Sequence, residues 1–157
     1  MTSLVAARSR GRGLKDTSFY GSVRLVGFSD TPTLYRMILP ERGDVYVMCG
    51  ADILINGLNT DLRAEARCPL CGNVTRFHIN NRRIEDLVPK DPRLHVVELK
   101  SGSGRLSIKC ELTHIFDKKD CLTKWLLTYV GRRGLVISLP EYMDSLNRRL
   151  PTKVSPA

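Results

Sequence analysis

From residue 19 onward the chain is dominated by short β-prone runs divided by turn residues, and this feature constrains the fold more than any other. Val23 to Val26, Leu34 to Leu39, Val45 to Met48, Leu62 to Ala66, Val74 to Ile79, Leu94 to Leu99 and Leu106 to Leu112 each read as a strand. Asp30-Thr31-Pro32, Pro40-Glu41-Arg42-Gly43, Asn80-Asn81 and Ser101-Gly102-Ser103-Gly104 supply the turns. Helical periodicity comes late. Lys119 to Val130 spaces Leu122, Trp125, Leu126 and Tyr129 along one stripe, with Asp117 as a candidate N-cap and Gly131 as the stop. Glu141 to Leu150 follows Pro140, aligns Tyr142, Leu146 and Leu150, and ends in Arg148 and Arg149, where cations suit the helix dipole. Leu135 to Leu139 reads as a strand between them. Strands first and helices last predict an α+β domain, with a mixed or antiparallel sheet and two C-terminal helices.

The 157 residues are 42% hydrophobic and 26% charged, enough for one globular domain with a real core. We expect a disordered basic arm over residues 1–18, rich in Gly and Arg, and a single domain over residues 19–157. The longest apolar stretch is interrupted by Gly50 and Asp52 and is too short to span a membrane. Leu4 to Ala7 is too short for a secretory signal, so a cytoplasmic protein with reduced thiols is expected; an Arg-rich, acid-free start also suits an organelle transit peptide. Of the net charge of +9, four units come from Arg8, Arg10, Arg12 and Lys15. The remainder is only mildly basic and aromatics are 6%, so nucleic acid is not the expected partner.

Five cysteines carry the possible chemistry. Cys49 stands where an apolar strand meets Gly50-Ala51-Asp52-Ile53-Leu54-Ile55, which has the character of a helix start. A thiol there faces unpaired N–H groups, which favour thiolate, and Asp52 shares its face one turn on. Spacing alone favours a plainer arrangement, a buried cysteine at a strand end with Asp52 satisfying backbone donors. Cys110 alternates with Leu106, Ile108 and Leu112, so its sulfur is expected to point inward; an inert core cysteine fits that pattern too. Cys68-Pro69-Leu70-Cys71-Gly72 has the form of a metal knuckle, but a closed zinc site needs four ligands and there is no second C-x-x-C. His78 is a candidate third ligand, and Cys121 reads as a packing residue. Gly-rich phosphate loops, serine nucleophile elbows and H-E-x-x-H patterns are missing from the sequence.

Together these segments resemble the catalytic domain of the organomercurial (alkylmercury) lyases. The resemblance begins at Thr31-Pro32-Thr33-Leu34-Tyr35-Arg36 and runs through Asp44 to Asp52 and Arg67-Cys68 to Leu106-Ser107-Ile108-Lys109-Cys110-Glu111-Leu112-Thr113-His114-Ile115-Phe116. Trp125, the Gly134 to Ser138 strand and the closing helix extend it to about residue 150. It implies protonolysis of a carbon–mercury bond, with Cys49 and Cys110 ligating the substrate mercury and Asp52 taking part in proton delivery. The two sulfurs are then expected about 4 to 5 Å apart. No cofactor beyond external thiol is implied, although Cys68 and Cys71 leave a structural zinc open. The implied partners are an organomercurial substrate and a reductase receiving the mercuric ion. The family usually carries an amino-terminal winged-helix-like domain, where about thirty mostly polar residues precede the match here; a more open site is the expectation. Two other readings stay open: a lyase-fold enzyme using its thiol and carboxylate on an organic substrate without mercury, and a zinc or nucleic-acid binding module.

Overall fold

The computed structural model describes residues 17–20, 23–40, 43–99, 107–128 and 134–150. Thirteen strands and three helices are formed by these residues. The first hairpin pairs β1 (Thr17–Tyr20) with β2 (Val23–Val26). A six-stranded sheet follows, built from β3 (Phe28–Ser29), β4 (Tyr35–Leu39), β5 (Gly43–Val47), β6 (Leu62–Arg67), β7 (Val74–Asn80) and β8 (Arg83–Val88) in the order β3-β5-β4-β6-β7-β8. A second sheet has β9 (Arg93–Val96) between β12 (His114–Phe116) and β13 (Leu135–Ser138), while β10 (Glu98–Leu99) pairs with β11 (Ser107–Ile108). All pairings among the described residues are antiparallel, which resolves the expected mixed or antiparallel sheet.

Alternation sets the faces. On β4, Tyr35, Met37 and Leu39 are buried while Arg36 and Ile38 are half-buried; β6 buries Leu62, Ala64 and Ala66 in the same rhythm. Each fully buried Leu, Ile or Met contributes about 1.5–3 kcal/mol by leaving water. Helix α1 (Gly50–Asn56) is buried almost throughout, touching β2, β4 and β5 as well as β9 and β12 of the second sheet. A seven-residue helix has little stability of its own, so packing on both sides maintains it. Asn56 fastens it further: its side-chain oxygen accepts from Val26 N at 2.7 Å and its amide donates to Val26 O at 3.0 Å.

The two late helices are α2 (Lys119–Thr128) and α3 (Leu139–Arg149). Ser138 caps α3 by accepting from Glu141 N at 3.2 Å, and Pro140 occupies the first turn, where its missing N–H costs nothing. The Tyr129, Val130 and Gly131 end expected for α2 lies outside the described residues, as do residues 1–16 of the expected arm.

One expected strand is corrected. The alternation from Leu106 to Leu112 predicts continuous extended chain, but β11 stops at Ile108 and Cys110–Leu112 turns into a 3-10 helix. The turn is closed by Leu112 N to Lys109 O and Thr113 N to Cys110 O, both 3.1 Å. Tertiary hydrogen bonds to His95 of β9 and to Val97, which joins β9 to β10, override a local pattern that spans only a few residues.

Candidate active site

The register of the central strands places the cysteines. Tyr35 of β4 is paired with Val47 on one side and Ala66 on the other. Cys49 and Cys68 each follow those partners by two residues, so both leave the sheet at the same end. At Cys49 the backbone is still extended (φ −153°, ψ 169°), and Cys49 is the N-cap residue of α1. Asp52, at the third helical position, turns back so that its Oδ2 accepts from Cys49 N at 3.3 Å. This is the reciprocal half of a capping box, and it holds a carboxylate beside the thiol.

Cys110 arrives from the other sheet on the 3-10 turn. Three hydrogen bonds pin that turn to the adjoining β9–β10 segment: Lys109 N to Val97 O at 2.9 Å, Val97 N to Thr113 Oγ1 at 3.1 Å, and His95 Nδ1 to Leu112 O at 2.8 Å. Because a carbonyl only accepts, Nδ1 of His95 carries the proton. Thr113 Oγ1 also donates to Lys109 O at 3.0 Å, closing the turn on itself. The Cys110 thiol then donates to Asp52 Oδ2 at 3.7 Å. The Cys49 and Cys110 sulfurs and an Asp52 oxygen all lie within 4.8 Å of one another.

Electrostatics give these groups different tasks. Cys49 and Asp52 are buried and Cys110 is half-buried, so Cys110 is the more accessible thiol. Burial, followed by the neighbouring Cys110 thiol and the Asp52 charge, pushes the Cys49 pKa well up. Of the two arrangements open in the sequence, burial of Cys49 and the Asp52 carboxylate accepting from Cys49 N match the plainer one, a buried cysteine beside a carboxylate that satisfies a backbone donor. Burial also raises Asp52, against the opposing bonds from Cys49 and Cys110, to about 6. A carboxyl group at that value exchanges protons readily near neutral pH.

Cys68 and Cys71 lie outside this triad. Their sulfurs gather with Asp117 and Cys121, again with ligand atoms all within 4.8 Å of one another. His78, expected as a third ligand, instead faces Asp86 across the β7–β8 hairpin with Nδ1 3.1 Å from Oδ2. Asp117, expected as an N-cap, directs its oxygens to Cys71 Sγ at 3.1 Å and Asn73 Nδ2 at 3.0 Å. Cys121 does pack beside Phe116, Leu122 and Trp125, but its sulfur also joins the cluster.

Several supporting residues carried little or no sequence signal. Tyr35 is buried, accepts from Ile115 N at 3.3 Å and lies 2.7 Å from His114 Nδ1, which fixes β12 beside the site. His95 and Thr113 also hold the Cys110 turn through bonds to partners 17 and 16 residues away, which no short-range spacing encodes. Gly50 was visible as part of the helix start, but the cause lies elsewhere: a Cβ there would sit 2.7 Å from Ile115 Cγ1.

A mercury-bound form of MerB2 is similar in structure, with a TM-score of 0.65 at 18% identity over 94% of this chain and 69% of that chain. At this identity the likeness establishes the fold. No match was found among curated proteins. The model of the MerB family, described as alkylmercury lyase, matches residues 28–150, which include both thiols and the carboxylate of the triad as well as the second cysteine cluster, and the chain belongs to that family.

Proposed function

We propose that this protein cleaves carbon–mercury bonds of organomercurials by protonolysis, with Cys49, Cys110 and Asp52 as the reacting groups. The observation that carries this reading is the meeting of two thiols and one carboxylate within 4.8 Å, with two of the three residues buried. Two bonds from sulfur to a soft metal, each a little over ~2 Å, span such a gap. Thiols are the ligands a soft metal prefers, and family membership supplies the reaction class.

The sequence of steps follows from accessibility and proton affinity. Cys110, the more exposed thiol, meets the mercurial first and transfers its proton to Asp52, to which it already donates. Cys49 then adds to the same mercury. Its high pKa makes it a thiol that gives up its proton only as the metal binds. Two thiolates on mercury raise electron density at the bound carbon, and the proton on Asp52 passes to that carbon as the carbon–mercury bond breaks. Overall, two thiols and R–Hg–X give a bis-thiolate mercuric complex, RH and HX. External thiol then removes Hg²⁺ by exchange, and hand-off to a reductase is part of this proposal.

The test is incubation of purified, reduced protein with phenylmercury and excess small thiol while benzene is measured. Benzene release that disappears in Cys49→Ser and Cys110→Ser variants is the expected result. Absence of benzene from folded, reduced protein overturns the proposal and favours a thiol and carboxylate chemistry on a different organic substrate.

A further inference from the structure

We infer that Cys68, Cys71, Asp117 and Cys121 form a second metal site, a closed structural site for one Zn²⁺ that ties the β6–β7 turn to helix α2. The four ligand atoms come from two separated stretches of chain and all lie within 4.8 Å of one another. Tetrahedral Zn²⁺ with bonds of about 2.3 Å to sulfur needs sulfur–sulfur separations of about 3.8 Å, so no pair in the cluster has to close by more than about 1 Å, and Cys71 Sγ and Asp117 Oδ1, at 3.1 Å, have to part slightly. Its first half is a knuckle. Cys68 N donates to Asn73 O at 2.8 Å, Gly72 N donates to Cys68 O at 3.0 Å, and Asn73 N points at Cys71 Sγ at 3.5 Å. Gly72 has φ +80° with nothing within 4 Å of a Cβ position, so backbone conformation, and not crowding, is what calls for glycine here. Its second half is Asp117 and Cys121, four residues apart across the start of α2.

Charge and burial also fit a metal. Cys68, Asp117 and Cys121 are buried and Cys71 is exposed, giving a protected site with one ligand at the surface for metal entry. Asn73 Nδ2 holds the second Asp117 oxygen at 3.0 Å, an outer contact that orients a ligating carboxylate. Helix α2 belongs to a small cluster with Phe116, Leu122 and Trp125, separate from the main core, so a metal crosslink adds what a limited apolar contact lacks. The donor set distinguishes the two clusters. Three thiolates and a carboxylate close the coordination of a borderline ion such as Zn²⁺, whereas two thiols beside an acid leave mercury room to carry a carbon group. Binding displaces the thiol protons to solvent, so zinc uptake releases up to about three protons per ion.

The test is the zinc content of full-length protein purified under reductant after incubation with zinc and dialysis. About one zinc per chain is expected in the wild type and in a Cys49→Ser/Cys110→Ser variant, with a drop of roughly tenfold in Cys71→Ser and Cys121→Ser. Cys71 is exposed, so its replacement by serine tests the site with little risk to the core. Cobalt substitution of the wild type gives an independent readout: thiolate-to-metal charge-transfer bands that survive loss of Cys49 and Cys110 support the site. Wild type that retains almost no zinc overturns the proposal, as does zinc that follows Cys49 and Cys110 and not Cys71. Zinc content is independent of benzene release, so failure of either result leaves the other standing.

Discussion

The carboxylate of Asp52 rests against the backbone of Gly27, which adopts φ +72°, and a side chain at residue 27 would occupy the position of the carboxylate itself. Met48 N donates to Gly27 O at 2.8 Å, so this glycine also fixes the strand end that carries Cys49. Gly27→Ala is expected to destabilise the fold by about 2 kcal/mol or more and to reduce turnover by displacing Asp52. Gly43→Ala is the control: φ is +97° there but no atom lies within 4 Å, so only the backbone penalty applies. Urea midpoints and benzene release for the two variants decide the matter, and equal losses in both would remove the steric role assigned to Gly27.

Replacing Asp52 by Asn keeps the shape and the acceptor oxygen but removes the exchangeable proton. Mercury binding by the two cysteines should persist, while hydrocarbon release slows by roughly 100-fold or more, the usual scale of lost acid–base help. Stoichiometric mercury retention with unchanged turnover would take Asp52 out of the proton path.

Most of the fold was legible because strand alternation is a local signal. Val23–Val26 and the strands ending at Leu39 and Asn80 needed only the period-two pattern and adjacent turn residues. The start of α1 could be read from Cys49 to Asp52 for the same reason. Cys110 shows the limit: Leu106 to Leu112 alternates cleanly, yet its end folds into a turn held by hydrogen bonds from His95 to Leu112 and from Val97 to Thr113. The third and fourth partners of the knuckle were likewise hidden. Asp117 and Cys121 are 46 and 50 residues beyond Cys71, a distance that no motif spacing spans and only the β12–α2 connection closes.

Thr113 offers a direct test of how Cys110 is held. Its hydroxyl accepts from Val97 N and donates to Lys109 O, and the residue is fully buried. Thr113→Val conserves volume but leaves the Val97 N–H without its acceptor, at a cost of about 1–3 kcal/mol, while Lys109 O keeps only its bond from Leu112 N. Because the Cys110 turn loosens, turnover should fall while Cys49 remains reactive toward thiol reagents in denaturant. Normal turnover in a destabilised variant would confine Thr113 to a purely structural role.

The raised pKa of Asp52 makes a prediction about stability and pH whose sign is fixed. Burial, the largest cause, lifts it from the ordinary 3.8 to about 6, so between these values the folded state binds more protons than the unfolded state. Its favourable contribution is complete below about pH 4 and is lost as pH rises through about 6. A shift of this size corresponds to about 3 kcal/mol. Glu98 works in the opposite sense: Arg149, 2.8 Å away, and Tyr142 hold it below its ordinary value despite partial burial, so its contribution is present above that value and is lost on acidification. Subtracting the Asp52→Asn variant from the wild type cancels Glu98 and isolates Asp52. The variant should gain stability relative to wild type by up to about 3 kcal/mol between pH 4 and pH 8, with most of the change between the two pKa values, from about pH 4 to about pH 6. Urea denaturation of both proteins across this range measures it. A wild-type-minus-variant difference that stays flat with pH would mean that Asp52 titrates at its ordinary value, and would remove the acid poised near neutral pH on which the proposed proton transfer depends.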